Sequence, residues 1–174
     1  MDEVRKLARS IDTIATKCPH GLAIIIGEYP PPSDKVLFDV ATWKPGSGGP
    51  HTSGGWTSDP TAAQASALLE LKGPIENVGW SALQAAGREC KKLFPRDFEA
   101  YRLHVTYIAG DQWRSGDEST LERIARECGL DARTVRRRRH EVPRRIARAA
   151  IMGVQSAINP NESRRGAAPC VRGR

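Results

Sequence analysis

Arginines concentrated in the last third are the residues best suited to chemistry in this 174-residue chain. Residues 114–174 carry 15 arginines and 7 acidic residues, a net charge of +8, whereas residues 1–113 carry 12 basic and 13 acidic residues, a net charge of −1. A guanidinium group offers a planar fork of donors that fits phosphate oxygens and guanine edges. The distribution therefore predicts an anionic partner for the last third, most economically nucleic acid.

The spacing of small and apolar residues over 120–140 indicates what kind of helix carries these arginines. Two helices that cross closely need a small residue at the crossing, and Ala125 supplies it. A short turn between them needs a residue that tolerates positive φ, and Gly129 follows four places later. Val135, six places after Gly129, is placed to pin the second helix to the core, with Ile124 and Leu130 as flanking contacts.

Capping signals mark where these two helices begin and end. The sequence "STLE" at 119–122 is a capping box, so a helix is expected from there to Cys128, where Gly129 ends it in the left-handed conformation. Asp131 can cap the second helix, predicted over 132–141. Pro143 either kinks that helix or starts another.

This stretch resembles the helix-turn-helix of bacterial and phage transcription regulators, including the type found in sigma-factor DNA-binding regions. The resemblance covers roughly the length of that two-helix motif and implies that the second helix enters the major groove of DNA. It departs from the pattern after Val135, because Arg138 and Arg139 occupy the positions where an apolar residue is usual. Val142 is then expected to make that core contact one turn later.

A second helix pinned by Val135 turns its open face toward the nucleic acid. The residues expected to reach base edges and phosphates are Arg133, Thr134, Arg136, Arg137 and His140. The residues that flank or extend this patch toward backbone phosphates are Arg138, Arg139, Arg144, Arg145 and Arg148. Two alternatives stay open: the arginine run is only a solvated helix face, or the two helices form a hairpin with no role in DNA binding.

Other side chains that could perform chemistry do not form a recognisable motif. Cys18 and His20 could be half of a zinc site that Cys90, Cys128 or His140 completes, but paired-ligand spacings are absent. We therefore predict no catalytic residue, no metal site and no cofactor, and we do not expect an enzyme.

The amino-terminal part of the chain predicts a small α+β unit. Apolar periodicity indicates helices over 2–17, 61–73, 81–94 and 96–110. The apolar, β-branched runs 21–29 and 35–43 predict two strands paired as a hairpin, and the Gly/Ser/Pro stretch 44–60 holds either an edge strand around Trp56 or disorder. The predicted fold class is therefore α+β: an N-terminal helix, a small β-hairpin or sheet and further helices, followed by an all-α helix-turn-helix C-terminal domain.

The order of these elements, with "GGWTSDPTAAQASALLEL" as strand end and second helix, is similar to a double-stranded-RNA-binding domain. In that family a lysine-rich helix start grips phosphate across the groove. Here the corresponding start is Asp59-Pro60-Thr61, which contains no basic residue. An accessory or oligomerisation module is therefore expected, and an ordinary α+β unit is the alternative.

These observations divide the chain into four segments. They are a small α+β module (1–75), a helical connector (76–113), a helix-turn-helix DNA-binding domain (114–158) and a disordered basic tail (159–174). No signal peptide and no apolar run of membrane-spanning length is present, so we expect a cytoplasmic protein of a bacterium or a phage-infected host, with no membrane partner.

The predicted function is that of a DNA-binding transcription regulator. In layout it resembles phage late-gene regulators, including Q-type antiterminators, which bind DNA near a promoter and load onto RNA polymerase. Double-stranded DNA is the expected partner, with RNA polymerase and a second copy of the chain as further partners. The alternatives are a DNA-packaging protein such as a phage terminase small subunit, a double-stranded-RNA-binding-like module, or an enzyme of nucleic-acid metabolism whose catalytic residues the sequence does not reveal.

Overall fold

Eight α-helices make up the part of the chain that the computed structural model describes, residues 2–42, 62–109 and 120–158. They are α1 (Asp2–Lys17), α2 (Gly21–Ile25), α3 (Asp34–Thr42), α4 (Ala62–Val78), α5 (Trp80–Leu93), α6 (Pro95–Ala109), α7 (Thr120–Cys128) and α8 (Ala132–Ile158). The edge strand proposed around Trp56, the capping residue Ser119 and the predicted tail lie outside the described residues.

The predicted α+β fold class is wrong, because no strand is present in the described ranges: the first segment expected to form the hairpin begins with α2 and continues as a turn, and the second forms α3. A short apolar run fits a buried helix as well as a buried strand, and α2 is such a helix. Its backbone is satisfied locally, since the Ile24 amide donates to the His20 carbonyl at 2.9 Å. Without the strands, the similarity to a double-stranded-RNA-binding domain also loses its basis.

The segment predicted as the second strand forms α3. Its apolar residues Val36, Leu37, Val40 and Ala41 recur at helical spacing, and Leu37 and Val40 are buried against the main core. β-Branched composition suggested a strand, but this periodicity puts the apolar side chains on one helical face. Packing against α4 and α1 then determines the helical form.

The long helix α8 joins two hydrophobic cores. Its first turns contribute Val135 to a small cluster with Ile124 and Ala125 of α7. Its later turns contribute Val142 and Ile146 to the main cluster, which contains residues from α1 to α6 as well. The amino-terminal helices and the predicted DNA-binding helix are therefore parts of one continuous packing arrangement.

Pro143 lies inside α8 and does not end it. Proline has no amide hydrogen, so the helical bond to the Arg139 carbonyl cannot form. The surrounding packing nevertheless maintains the helix, since Val142, Pro143 and Ile146 are all buried.

None of the described helices combines the length and the apolar composition that a membrane crossing requires.

Close backbone approaches hold the amino-terminal helices together. Gly87 of α5 lies so near α2 that a Cβ there would stand 2.3 Å from the Ile25 carbonyl oxygen. Gly21 is tighter still, with 1.9 Å between such a Cβ and the Ile14 carbonyl oxygen. Only glycine permits these crossings, because any side chain would push the helices apart.

The Gly87 crossing leads to a test of the all-helical packing. Gly87→Ala should lower the free energy of unfolding by about 1–3 kcal/mol, the usual cost of forcing an extra carbon into a packed core. Gly153→Ala is the control, because no heavy atom of the described residues lies within 4 Å of the added carbon. It should be neutral or stabilising by about 0.5–1 kcal/mol through helix propensity. Urea denaturation measures both, and equal effects would contradict the α2–α5 contact.

Candidate nucleic-acid interface

The turn between α7 and α8 has the geometry that the sequence predicted. Gly129 adopts φ +62°, the left-handed conformation that ends a helix. The Leu130 amide donates to the Ala125 carbonyl at 2.8 Å, and the Gly129 amide donates to the Arg126 carbonyl at 3.2 Å. These two bonds form a Schellman motif, which satisfies the last carbonyls of α7 and turns the chain sharply.

Asp131 caps the first turn of α8, as predicted. Its carboxylate accepts a hydrogen bond from the Thr134 amide at 2.8 Å and another from the Thr134 hydroxyl. These bonds hold the pKa of Asp131 below its usual value, the side-chain bond from Thr134 being the largest cause. Thr134, which was expected to face the nucleic acid, is thus engaged by the cap and orients the start of α8.

A small apolar core fixes how α7 and α8 cross. Ile124 and Val135 are fully buried and Ala125 is nearly so. Leu103 and Tyr107 of α6 pack against the same cluster, so α6 is the third helix of the unit. The Tyr107 hydroxyl also donates to the Glu127 carboxylate on α7. Val135 therefore determines which face of α8 turns outward.

The outward face of α8 carries most of the predicted cations. Arg133, Arg136, His140, Arg144 and Arg148 are exposed, and the four arginines have no ion pair within the described residues. Arg137 is 67% exposed and its Nε lies 3.8 Å from the Glu141 carboxylate. This ion pair is weak because solvent screens it. These side chains can reach an external anion without first breaking a strong internal contact.

Two of the predicted phosphate contacts face the protein instead. Arg138 Nε lies 2.9 Å from Asp97 Oδ1, and Arg145 Nη1 lies 2.7 Å from Asp97 Oδ2. The side chains of Arg138 and Asp97 are only 19% and 15% exposed. Arg145 also bonds Glu141 at 3.2 Å and stacks over the ring of Phe94. The Asp97 carboxylate thus anchors α8 to α6, and these two arginines are its structural ion-pair partners.

The two histidines near this face lie in a positive environment. Nε2 of His140 accepts a hydrogen bond from Arg139 Nε at 3.1 Å, which requires that nitrogen to be unprotonated. Partial burial, followed by the charge of Arg139, lowers the pKa of His140. His104 of α6 is 6% exposed, and burial lowers its pKa to about 4, with Arg139 and His140 adding to the shift.

Sequence reasoning missed two arginines that the fold brings to the same surface. Arg5 and Arg9 of α1 are exposed, and with Arg139, His140 and Arg144 of α8 they line one cleft. Their spacing of one helical turn, on the polar side of an amphipathic helix, is visible in the sequence. Nothing local indicates, however, that α1 packs beside α8.

The cysteines give no support to the half zinc site considered for Cys18 and His20. Cys18 and Cys90 are buried free thiols, and burial raises the pKa of each to about 11. Within the described residues, no group of three or more Cys, His, Asp or Glu side chains is arranged to hold a metal ion.

The Asp97 ion pairs lead to a stability prediction. Asp97→Ala should lower the free energy of unfolding by about 2–3 kcal/mol, because it leaves the partly buried Arg138 without its carboxylate and Arg145 with Glu141 as its remaining partner. Glu99→Ala on the same helix is the matched control, since its pair with Arg102 is about half exposed and should contribute less than about 1 kcal/mol. Thermal melts compare the two variants. An Asp97 variant as stable as the Glu99 variant would show that the network does not anchor α8.

His104 leads to a prediction about acid stability. The unfolded chain takes up a proton on His104 near pH 6.5, whereas the folded chain does so only near pH 4, so protonation favours unfolding between these values. This imidazole alone should therefore cost about 1.4 kcal/mol of stability per pH unit in that window. Urea denaturation from pH 7 to 4.5 should show the loss, and His104→Gln should reduce it. Exposed His20→Gln is the control, and a wild-type slope in His104→Gln would contradict this assignment.

Comparison with known proteins adds no assignment. No protein-family model matches the chain, and no curated protein or solved structure matches it. What this protein binds must therefore be inferred from the geometry of α7 and α8 and from the cations that they carry.

Proposed function

We propose that this protein is a DNA-binding transcription regulator that places the amino-terminal half of α8 in the major groove of duplex DNA. One observation carries the proposal: a short turn with the Schellman geometry joins α7 to an α8 whose core-facing residue is Val135 and whose opposite face presents exposed arginines. This is the arrangement by which a helix-turn-helix unit presents its second helix to a groove.

The exposed arginines are placed to act on DNA in two ways. Arg133 and Arg136 lie in the first turns of α8, the part of a recognition helix that reaches base edges. A guanidinium group can bind O6 and N7 of guanine together, which is the commonest specific contact in the major groove. Arg137, on the same exposed face of α8, can contact base edges or phosphates. The cation cluster therefore supports both affinity and sequence preference.

The simplest alternative is that the arginine run is only a solvated helix face, and the internal ion pairs argue against it. Asp97 forms ion pairs with Arg138 and Arg145. These pairs are partly buried, so forming them costs more desolvation than pairs at exposed positions would. Arg133, Arg136, Arg144 and Arg148 stay on the surface without an ion pair in the described residues, and Arg137 has only its 3.8 Å contact with Glu141. A surface that concentrates unneutralised charge of one sign attracts polyanions and raises their association rate.

The packaging alternative requires a surface that joins many copies of the chain in a ring. The large exposed apolar residues among those described are Tyr29, Leu69, Leu93, Phe94 and Met152, and they belong to four segments that are separate in the sequence. The contact with RNA polymerase that the layout suggested belongs to the regulator proposal.

Two neighbouring arginines test the proposal. Arg136→Ala should weaken binding to a selected duplex by about 1–3 kcal/mol if it reads a guanine, and the melting temperature should not change because the side chain is exposed. Arg138→Ala should instead lower the free energy of unfolding by about 2 kcal/mol, through loss of its charged bond to Asp97. Fluorescence anisotropy on the selected and a scrambled duplex, beside thermal melts, measures both.

Arg88→Ala is the charge control, because it removes a cation whose guanidinium lies against Gly27, at the end of α2. It should leave the affinity for DNA unchanged. The wild-type affinity should also fall linearly in log–log form with salt, by about 0.9 per phosphate contacted. Absence of duplex binding at low salt, or equal losses in Arg136→Ala and Arg88→Ala, would overturn the proposal.

A further inference from the structure

A cleft of about 330 Å³ lies between α1 and the middle of α8. Arg5 and Arg9 line it from α1, and Arg139, His140 and Arg144 line it from α8. Arg5 and Arg9 are one helical turn apart, as are His140 and Arg144, so each helix presents a pair of nitrogen donors to the cleft. Donors from two helices thus surround one space, as an oxygen-rich anion requires.

Asp12 is the one carboxylate among the described residues that line the cleft, and its charge does not balance the four arginines there. Asp12 Oδ1 accepts a hydrogen bond at 2.9 Å from the hydroxyl of Tyr101, a fully buried side chain of α6. Arg5, Arg9 and Arg144 have no ion pair in the described part of the chain. Burial is the largest cause of the lowered pKa of His140, and the charges of Arg139, Arg144 and Arg136 lower it further while Asp12 opposes them.

The position of the cleft along α8 relates it to the proposed recognition surface. Arg136 and Arg144 lie eight residues apart on one helix, which corresponds to about 12 Å along the axis. The major groove is also about 12 Å wide. The spacing between Arg136 and Arg144 is thus comparable to the width of the groove, so the backbone that borders the groove is within reach of the cleft when Arg136 contacts base edges.

We propose that the cleft between α1 and α8 binds a backbone phosphate of the duplex whose major groove receives the start of α8. The inference rests on the proposed function, and it adds α1 to the DNA-binding surface. Arg5 and Arg9 grip the phosphate from one side and His140 and Arg144 from the other. The contact positions α8 in the groove and carries no sequence information of its own.

The test combines protein variants with duplexes whose phosphates are neutralised one at a time as methylphosphonates. In the wild type, binding should weaken when the phosphate that occupies the cleft is neutralised, because its negative charge no longer attracts the arginines there. Arg5→Ala/Arg9→Ala should weaken binding equally on selected and scrambled duplexes and make the log–log salt slope shallower by up to about 0.9, the contribution of one phosphate. In that double variant, neutralising the same phosphate should weaken binding less than in the wild type, because only the α8 side of the cleft still contacts it.

The controls separate this inference from the function on which it rests. Arg88→Ala should keep the wild-type slope and the wild-type methylphosphonate pattern, and thermal melts should show that the double variant, altered at two exposed residues, is folded. If Arg136→Ala weakens binding while Arg5→Ala/Arg9→Ala changes neither slope nor pattern, the cleft proposal fails and the proposed function stands. If the wild type binds no duplex at any salt concentration, both fail.

Discussion

Burial of one stripe of α8 is the constraint on which the rest of this structure depends. Val135, Val142, Ile146 and Ala150 lie on one side of a 27-residue helix, and all four are buried. The first packs on α7 and the others on the main core, so rotating α8 would expose apolar side chains at several points together. Because the stripe fixes the rotation of α8, it also fixes which arginines face outward.

Asp97 refines this arrangement electrostatically. Its carboxylate engages Arg138 and Arg145, which lie two turns apart on α8, and thereby ties α6 to the long helix on both sides of Pro143. A partly buried carboxylate is costly unless it is paired, and so is a partly buried guanidinium. The network therefore divides the arginines of α8 into two groups: those that hold the helix and those that remain available to a ligand.

The bundle and the candidate interface are consequently one mechanical unit. The helices α1, α5 and α6 support α8 along its length, and α1 also contributes arginines beside it. The surface proposed to contact DNA is held firmly, since α8 is anchored well beyond its contact with α7. Rigid placement of cations reduces the entropy that would otherwise be lost on binding.

Local sequence determined the α7–α8 turn, because its requirements lie within a few residues of one another: a small crossing residue, a glycine at positive φ, the Asp131 cap and the pinning Val135. It also determined the charge asymmetry of the chain.

Tertiary structure decided the rest. Short apolar runs such as 21–29 suit either a strand or a buried helix, and only their packing partners selected the helix. The roles of Arg138 and Arg145 depended on Asp97, and those of Arg5 and Arg9 on the contact of α1 with α8, because partners distant in sequence meet only after the chain has folded.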